Sequence, residues 1–231
     1  ILMTNRDAVE YMDVNYFGKL YGEMARNAEI PVCIHLDHAK DFSLILRAIM
    51  AGYTSVMYDG SQLPIEENIK NTKEVVKIAR PLGITVEAEI GSVAYSDKAD
   101  IKGIYTEPEE AEYFARETEV DALAVAIGTL HRMQKQEANI QYDRLEKIIS
   151  LIDTPIVIHG STGVKDEDLI KLRNYNVGKV NIGTALRMAF FKALKSEMDL
   201  NPEVFDRTKL FKKPMEEVKK VAMEKMKLLG W

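Results

Sequence analysis

The chain contains four histidines, and all four lie in or directly after apolar, strand-like runs. These runs are PVCIHLDHA at 31–39, ALAVAIGTLH at 122–131 and PIVIHGSTG at 155–163. Imidazole is a common zinc ligand, and a catalytic zinc usually has three protein ligands and one open position. Histidines from three strand ends could therefore meet around one metal ion. The alternative is that each histidine is separately packed and hydrogen-bonded.

The candidate metal ligands are His38, His131 and His159, because each lies where its run ends. His35 lies within its strand, and we expect it to be packed and hydrogen-bonded. Asp37 could act as a general acid/base beside a bound substrate, or it could orient an imidazole. Side chains alternate along a strand, so Asp37 and His38 should point in opposite directions unless the chain has already turned.

Three further acids lie in or at the end of apolar strands, where burial is costly unless a carboxylate is paired or binds a cation. Asp59 ends the run MYDGS, and Glu87 and Glu89 share one face of the run VEAEIG. We expect these three side chains to hold a second mono- or divalent cation or to brace the histidines. Bracing is the expected role of at least one of the two glutamates.

Two turns near the end of the chain have the composition of anion sites. HGSTG at 159–163 places glycines and hydroxyls after a strand, and KVNIGT at 179–184 leads into a helix. Free amides in such turns and at helix N-termini favour anions. In barrel enzymes phosphate is often bound at the loops after the last two strands.

Short apolar runs alternate with amphipathic segments along the whole chain, which predicts parallel β/α units. Seven units are recognisable, against eight in a closed TIM barrel. We therefore predict an α/β fold of the TIM (β/α)8 type, as a single barrel domain over residues 1–231 with a C-terminal helical extension at about 202–229. A doubly wound open sheet is the alternative architecture, but no GxGxxG turn follows any run. The polar stretch 92–105 has the length of a lid.

The composition excludes some classes of partner. The net charge is −5 and no basic stripe stands out, so nucleic acid is not expected as a partner. No apolar stretch approaches the roughly 20 residues of a membrane span. A single cysteine, Cys33, rules out an internal disulfide and favours a reducing compartment, so we expect a cytoplasmic protein.

In this order, the motifs HLDHA, SVMYDGS, VEAEIG, AVAIGTLH, IVIHGSTG and KVNIGT resemble the class II (zinc-dependent) ketose-bisphosphate aldolases. The resemblance covers nearly the whole chain and is closest to the fructose- and tagatose-bisphosphate aldolase branch. Compared with that family, the chain is expected to lack the first β/α unit. The resemblance implies a homodimer or homotetramer with one Zn²⁺ per chain.

The resemblance also implies roles for individual residues. His38, His131 and His159 would bind zinc, and Asp37 would be the catalytic acid/base. The two turns would hold the phosphate of dihydroxyacetone phosphate, through Gly160, Ser161, Thr162, Asn181, Ile182, Gly183 and Thr184. The implied reaction is reversible cleavage of a fructose or tagatose 1,6-bisphosphate to dihydroxyacetone phosphate and glyceraldehyde 3-phosphate.

One departure from the family lies beside the second zinc histidine, where Arg132 replaces a glycine whose amide normally contacts phosphate. The Arg132 side chain must fit beside the substrate, or it adds a cation for the anion. The following stretch, 132–141, also differs from the family. Two alternatives therefore stay open: an aldolase for another phosphorylated sugar or sugar acid, and a non-catalytic aldolase-like subunit.

Overall fold

The computed structural model describes residues 1–97 and 103–231 and contains one parallel sheet of seven strands. The strands are paired in sequence order, from β1 at one edge to β7 at the other. They are β1 (Leu2–Asn5), β2 (Ile34–Ala39), β3 (Ser55–Tyr58), β4 (Thr85–Ile90), β5 (Ala122–Val125), β6 (Ile156–Ile158) and β7 (Val177–Val180).

Helices follow the strands in the predicted alternation. They are α1 (Arg6–Tyr11), α2 (Val14–Arg26), α3 (Phe42–Met50), α4 (Ile65–Ala79), α5 (Pro108–Thr118), α6 (Tyr142–Leu151), α7 (Asp166–Leu172), α8 (Thr184–Leu200), α9 (Arg207–Leu210) and α10 (Lys212–Leu228). The sequence pattern missed α1, a short helix that begins directly after β1. Its N-cap is Asn5, whose side chain accepts a hydrogen bond of 3.0 Å from the amide of Ala8.

The strand order contradicts the doubly wound alternative, because that fold requires a reversal of strand order within the sheet. Here the order runs without reversal. The sheet is also curled, since a side chain from its last strand reaches side chains near its beginning. Lys179 of β7 lies 3.4 Å from Nε2 of His35 in β2 and 2.7 Å from a carboxylate oxygen of Glu87 in β4. The fold is therefore a curled, parallel α/β sheet consistent with the TIM type.

The two faces of the sheet differ in chemistry because side chains alternate along each strand. Buried apolar residues such as Leu36, Val86 and Ile158 belong to the hydrophobic core shared with the helices. The neighbouring positions in the same strands carry buried polar groups, including Asp37 and Glu87. This alternation collects the charged side chains inside the curl, at the site described below.

The polar stretch that we predict to be a lid includes residues 98–102, which lie outside the described residues. Its described flanks are held in place by two isolated bridges, one between Ser92 and Ile104 and one between Tyr95 and His131. Within the described part of the chain, no helix is long and apolar enough to cross a membrane.

Candidate active site

The end of β2 turns sharply at His38, and this turn decides which side chains reach the site. His38 has a φ of +53°, and the register between β2 and β3 shifts between Leu36 and Ala39. Left-handed backbone at a non-glycine residue is uncommon, and a bulge redirects side chains. Asp37 and His38 therefore do not point apart, and Nε2 of His38 lies 3.9 Å from Oδ2 of Asp37. Both residues line the same cavity of about 680 Å³.

Three imidazoles from three strand ends come together at this point. The ring centroid of His38 is 5.0 Å from that of His131 and 4.6 Å from that of His159. One nitrogen of each ring lies within 4.8 Å of the others. The curl of the sheet thus brings together His38 and His159, which are 121 positions apart in the sequence. The three ligand candidates share one centre.

Carboxylates orient two of these rings. Nδ1 of His38 lies 3.0 Å from Oδ2 of Asp59, and Nε2 of His159 lies 2.9 Å from Oε1 of Glu87. Glu89 lies between the two rings. Its Oε2 is 3.7 Å from Nδ1 of His38 and 3.1 Å from Nδ1 of His159. The three acids that the sequence singles out are therefore all in contact with the histidine cluster.

The remaining nitrogen atoms provide a test of whether a metal ion fits. Among the described residues, Nε2 of His38, Nδ1 of His159 and Oε2 of Glu89 are buried and have no hydrogen-bond partner. The last two atoms lie 3.1 Å apart, but they do not form a hydrogen bond with each other. Buried polar atoms are rarely left unpaired without a reason. A ring that binds a carboxylate through one nitrogen and exposes the other to a shared centre has the usual arrangement of a metal-binding histidine. The donor set fits a divalent ion.

The charges around the rings differ from one histidine to the next. Burial would lower the pKa of His159, but the carboxylates of Glu87 and Glu89 outweigh burial and raise it to about 10. The pKa of His131 is lowered to about 3, chiefly by burial and further by the neighbouring His38 and His159. At neutral pH, His131 is therefore neutral, whereas His159 carries a proton until something displaces it.

Asp37 is held by an amide from the far edge of the sheet. Nδ2 of Asn181 donates a hydrogen bond of 3.0 Å to its Oδ1. Burial would raise the pKa of Asp37, but His38, His159 and Lys179 together lower it below its ordinary value. Asp37 is therefore an ionised carboxylate that can accept a proton in the cavity.

The predicted phosphate residues lie together on one side of the same cavity. Those that line it are Arg132, Gly160, Ser161, Thr162, Asn181, Ile182, Gly183 and Thr184. The Thr162 hydroxyl accepts a hydrogen bond of 3.1 Å from the amide of Ala185, in the first turn of α8. Gly160 has a φ of +65°, and a Cβ there would approach the carbonyl oxygen of Leu130 to 2.5 Å. A glycine is thus needed where this turn passes close to the backbone of Leu130 and His131.

An aromatic and a cationic side chain cover His131 at the mouth of the cavity. The Tyr95 ring stacks on the imidazole with centroids 4.8 Å apart, and the Arg132 guanidinium lies 5.1 Å above the Tyr95 ring. Arg132 also lies 2.9 Å from a carboxylate oxygen of Asp97 and 3.6 Å from one of Asp7. These two acids balance the charge of the Arg132 guanidinium.

Sequence reasoning missed two features of the site: Lys179, and the contact of Asn181 with Asp37. A signal for Lys179 was available. A lysine two residues before Asn181 in an otherwise apolar run shares its strand face, and lysine is almost never buried without a partner.

Comparisons with known proteins agree with the geometry. The chain matches the family described as "Fructose-bisphosphate aldolase class-II" over residues 1–231. A fructose-bisphosphate aldolase of Geobacillus stearothermophilus is 36% identical over 238 aligned positions, covering 100% of this chain and 82% of that protein. One from Staphylococcus aureus (strain Mu50 / ATCC 700699) is 37% identical, covering 88% of this chain and 72% of that protein.

A similar solved structure is that of the YdjI aldolase from Escherichia coli K12. Its TM-score is 0.84 at 32% sequence identity, and the match covers 99% of this chain and 80% of the other. The family is metal-dependent, in agreement with the donor set. A whole-chain family match, relatives above 30% identity and the shared architecture lead to the same conclusion. The chain belongs to the class II fructose-bisphosphate aldolase family.

Proposed function

We propose that this aldolase reversibly cleaves a ketose 1,6-bisphosphate, fructose or tagatose, to dihydroxyacetone phosphate and glyceraldehyde 3-phosphate. The observation that carries the proposal is the meeting of His38, His131 and His159 beside the ionised Asp37 in one cavity. The relatives named above as fructose-bisphosphate aldolases support the same substrate class.

We assign Zn²⁺ to the three imidazoles, because three nitrogen ligands with one open position are usual for catalytic zinc. When bound there, the ion supplies Lewis-acid polarisation of the substrate ketone. The protein's own residues then complete the site. Asp59 and Glu87 hold the imidazole rings in orientation, and Glu89 contacts two of the rings.

Asp37 is the proposed base in the cleavage direction. It takes the proton of the C4 hydroxyl, the C4 carbonyl forms, and the C3–C4 bond breaks with its electron pair remaining on C3. This carbon then takes a proton from solvent, which gives dihydroxyacetone phosphate. In the condensation direction the same carboxyl returns its proton to the new C4 oxygen. Asn181 holds the carboxylate in place during both steps.

The phosphate of the dihydroxyacetone half is assigned to the turn 160–162 and to the segment 181–184 at the N-terminus of α8. Free amides and the helix dipole favour a dianion there. We assign Arg132 to the rim of this subsite, where its side chain limits the space beside the substrate.

Several broader features belong to the same proposal. We expect a TIM-type barrel as a single domain. We expect a homodimer or homotetramer, since Phe191 and Phe205 have exposed fractions of 70% and 95%. We also expect a cytoplasmic enzyme.

The deciding experiment follows dihydroxyacetone phosphate release from fructose 1,6-bisphosphate and tagatose 1,6-bisphosphate by the purified chain. Activity should be lost with a chelator, return with zinc, and survive borohydride treatment in the presence of substrate, because no lysine Schiff base forms. Cleavage that continues after complete metal removal would contradict the proposal. Faster turnover of a phosphorylated sugar acid would change the proposed substrate and leave the proposed type of reaction unchanged.

A further inference from the structure

A buried ammonium group lies next to the histidine cluster and contacts it through Glu87. Nζ of Lys179 is 2.7 Å from Oε2 of Glu87, 3.4 Å from Nε2 of His35 and 4.0 Å from Oδ1 of Asp37. The Lys179 side chain is only 8% exposed. Lysine is almost never buried so deeply unless its charge is compensated.

The three groups around this ammonium are also a candidate metal site. His35, Asp37 and Glu87 each present one ligand atom, and these atoms lie within 4.8 Å of one another. Lys179 contacts all three groups. A fixed cation that belongs to the chain therefore lies where a second metal ion could otherwise bind.

We propose that Lys179 is a positioning residue that replaces a second cation and holds Glu87 and Asp37 in their working orientations. The inference rests on the proposed function, since it concerns the residues that serve that reaction. It assigns to the lysine a role in setting the geometry of the metal ligands and of the base, without contact to the substrate.

Glu87 carries the effect of Lys179 to the metal site. Its Oε2 binds the ammonium, and its Oε1 lies 2.9 Å from Nε2 of His159. The ring of His159 is fully buried and is held by this contact, which leaves Nδ1 for the shared centre. Partners that orient a ligand histidine commonly change metal affinity or activity by about 10- to 100-fold when they are lost.

The charge balance of the site supports the same role. Four carboxylates, those of Asp37, Asp59, Glu87 and Glu89, are buried together. Removing one partner of a buried ion pair leaves an uncompensated charge, which is strongly unfavourable. Without the ammonium, Glu87 and Asp37 would repel each other and His159 would lose its fixed partner. A neutral side chain of equal length cannot supply this compensation.

The test compares Lys179→Met, which removes the charge and keeps an unbranched side chain one atom shorter, with Lys179→Ala, which leaves room for a small amine. Lys225→Ala is the matched control, because Lys225 pairs with Asp166 at 2.6 Å, away from the site. Each protein is assayed for kcat and KM and is titrated with Co²⁺, whose absorption spectrum reports ligand geometry without turnover. Circular dichroism checks the fold.

We expect Lys179→Met to lower kcat or Co²⁺ affinity by about 10- to 100-fold. Ethylammonium should saturably restore the kcat and Co²⁺ affinity of Lys179→Ala, and it should not restore those of Lys179→Met. Tetramethylammonium, which cannot donate a hydrogen bond, should restore neither variant. Lys225→Ala should have the kcat, KM and Co²⁺ affinity of the wild type.

Wild-type kcat and Co²⁺ affinity in Lys179→Met would overturn the inference, and so would a folded Lys179→Ala that no amine restores. If Lys179→Ala does not fold, the Co²⁺ affinity and kcat of Lys179→Met decide alone. A wild-type chain that binds Co²⁺ but cleaves no ketose bisphosphate would instead count against the proposed function, and the Co²⁺ titrations of the variants would still test the lysine.

Discussion

The side-chain amide of Asn181 donates a hydrogen bond of 3.0 Å to Oδ1 of Asp37, across 144 positions of sequence. The sequence placed Asn181 among the phosphate residues, and it does line the same cavity. Its amide nitrogen is nevertheless engaged by the candidate base. One oxygen of Asp37 is therefore fixed by Asn181, while Oδ2 lies on the side of His38, 3.9 Å from Nε2 of that ring.

Asp37→Asn should lower kcat by about 10²- to 10⁴-fold, because the amide cannot accept the hydroxyl proton. Metal affinity should stay near that of the wild type, since the three imidazoles are unchanged. Stopped assays of dihydroxyacetone phosphate release and a Co²⁺ titration measure the two quantities. Asp153→Asn, at an exposed position, serves as the control. Retention of full activity would remove Asp37 from the role of base.

Asn181→Ala should also lower kcat, but the losses of Asn181→Ala and Asp37→Asn should not add. Residues that share one hydrogen bond show interaction energies of about 0.5–3 kcal/mol in double-mutant cycles. The two single variants and the double variant complete the cycle. Strict additivity would mean that Asn181 acts independently of Asp37, for example only through the phosphate.

Tyr95 should contribute to metal binding through its stack on His131. An aromatic pair of this kind is worth about 0.5–1.5 kcal/mol beyond its buried area. Tyr95→Ala should weaken Co²⁺ binding by about that free energy, and Tyr95→Phe should not, because the ring remains. Tyr11→Ala, at a position that is 92% exposed, is the control. Equal Co²⁺ affinities of Tyr95→Ala and Tyr95→Phe would contradict the role of the stack.

Arg132 has a left-handed backbone, with a φ of +60°. Both Arg132→Gly and Arg132→Ala remove the ion pairs with Asp97 and Asp7, but only glycine adopts this conformation without strain. The left-handed region costs other residues about 1–2 kcal/mol. We therefore expect the glycine variant to be more stable than the alanine variant by about 1 kcal/mol in urea unfolding. The opposite order would show that the segment rearranges when the arginine is lost.

Metal binding should release protons at neutral pH. A raised pKa of about 10 keeps His159 charged below that pH in the metal-free protein, whereas His131, with a pKa of about 3, is already neutral. A metal ion requires neutral imidazoles, so binding must displace at least the proton of His159. Affinity should rise with pH up to about 10.

Titration calorimetry in buffers of different ionisation enthalpy measures this release directly. The apparent binding enthalpy should vary with the buffer at neutral pH, with a slope of about one proton or more. A slope of zero would mean that His159 is neutral before the metal binds, and that Glu87 and Glu89 do not hold its proton.

The sequence was sufficient to determine the local structure and the residue types at the strand ends. Runs of Val and Ile separated by amphipathic segments predict parallel β/α units, because strand and helix periodicities are properties of neighbouring residues. The motifs around His38, His131 and His159 likewise identified the family, since each motif is contiguous. The short α1 was missed because its six residues carry too little periodicity.

Only the tertiary structure decided how these strand ends meet. The bulge and the left-handed turn at His38 bring Asp37 to the same cavity as the imidazole, which contradicts simple alternation along a strand. The side-chain partners of Asn181 and Lys179 lie 92 or more positions away. Such contacts depend on the curl of the whole sheet, and no local pattern specifies them.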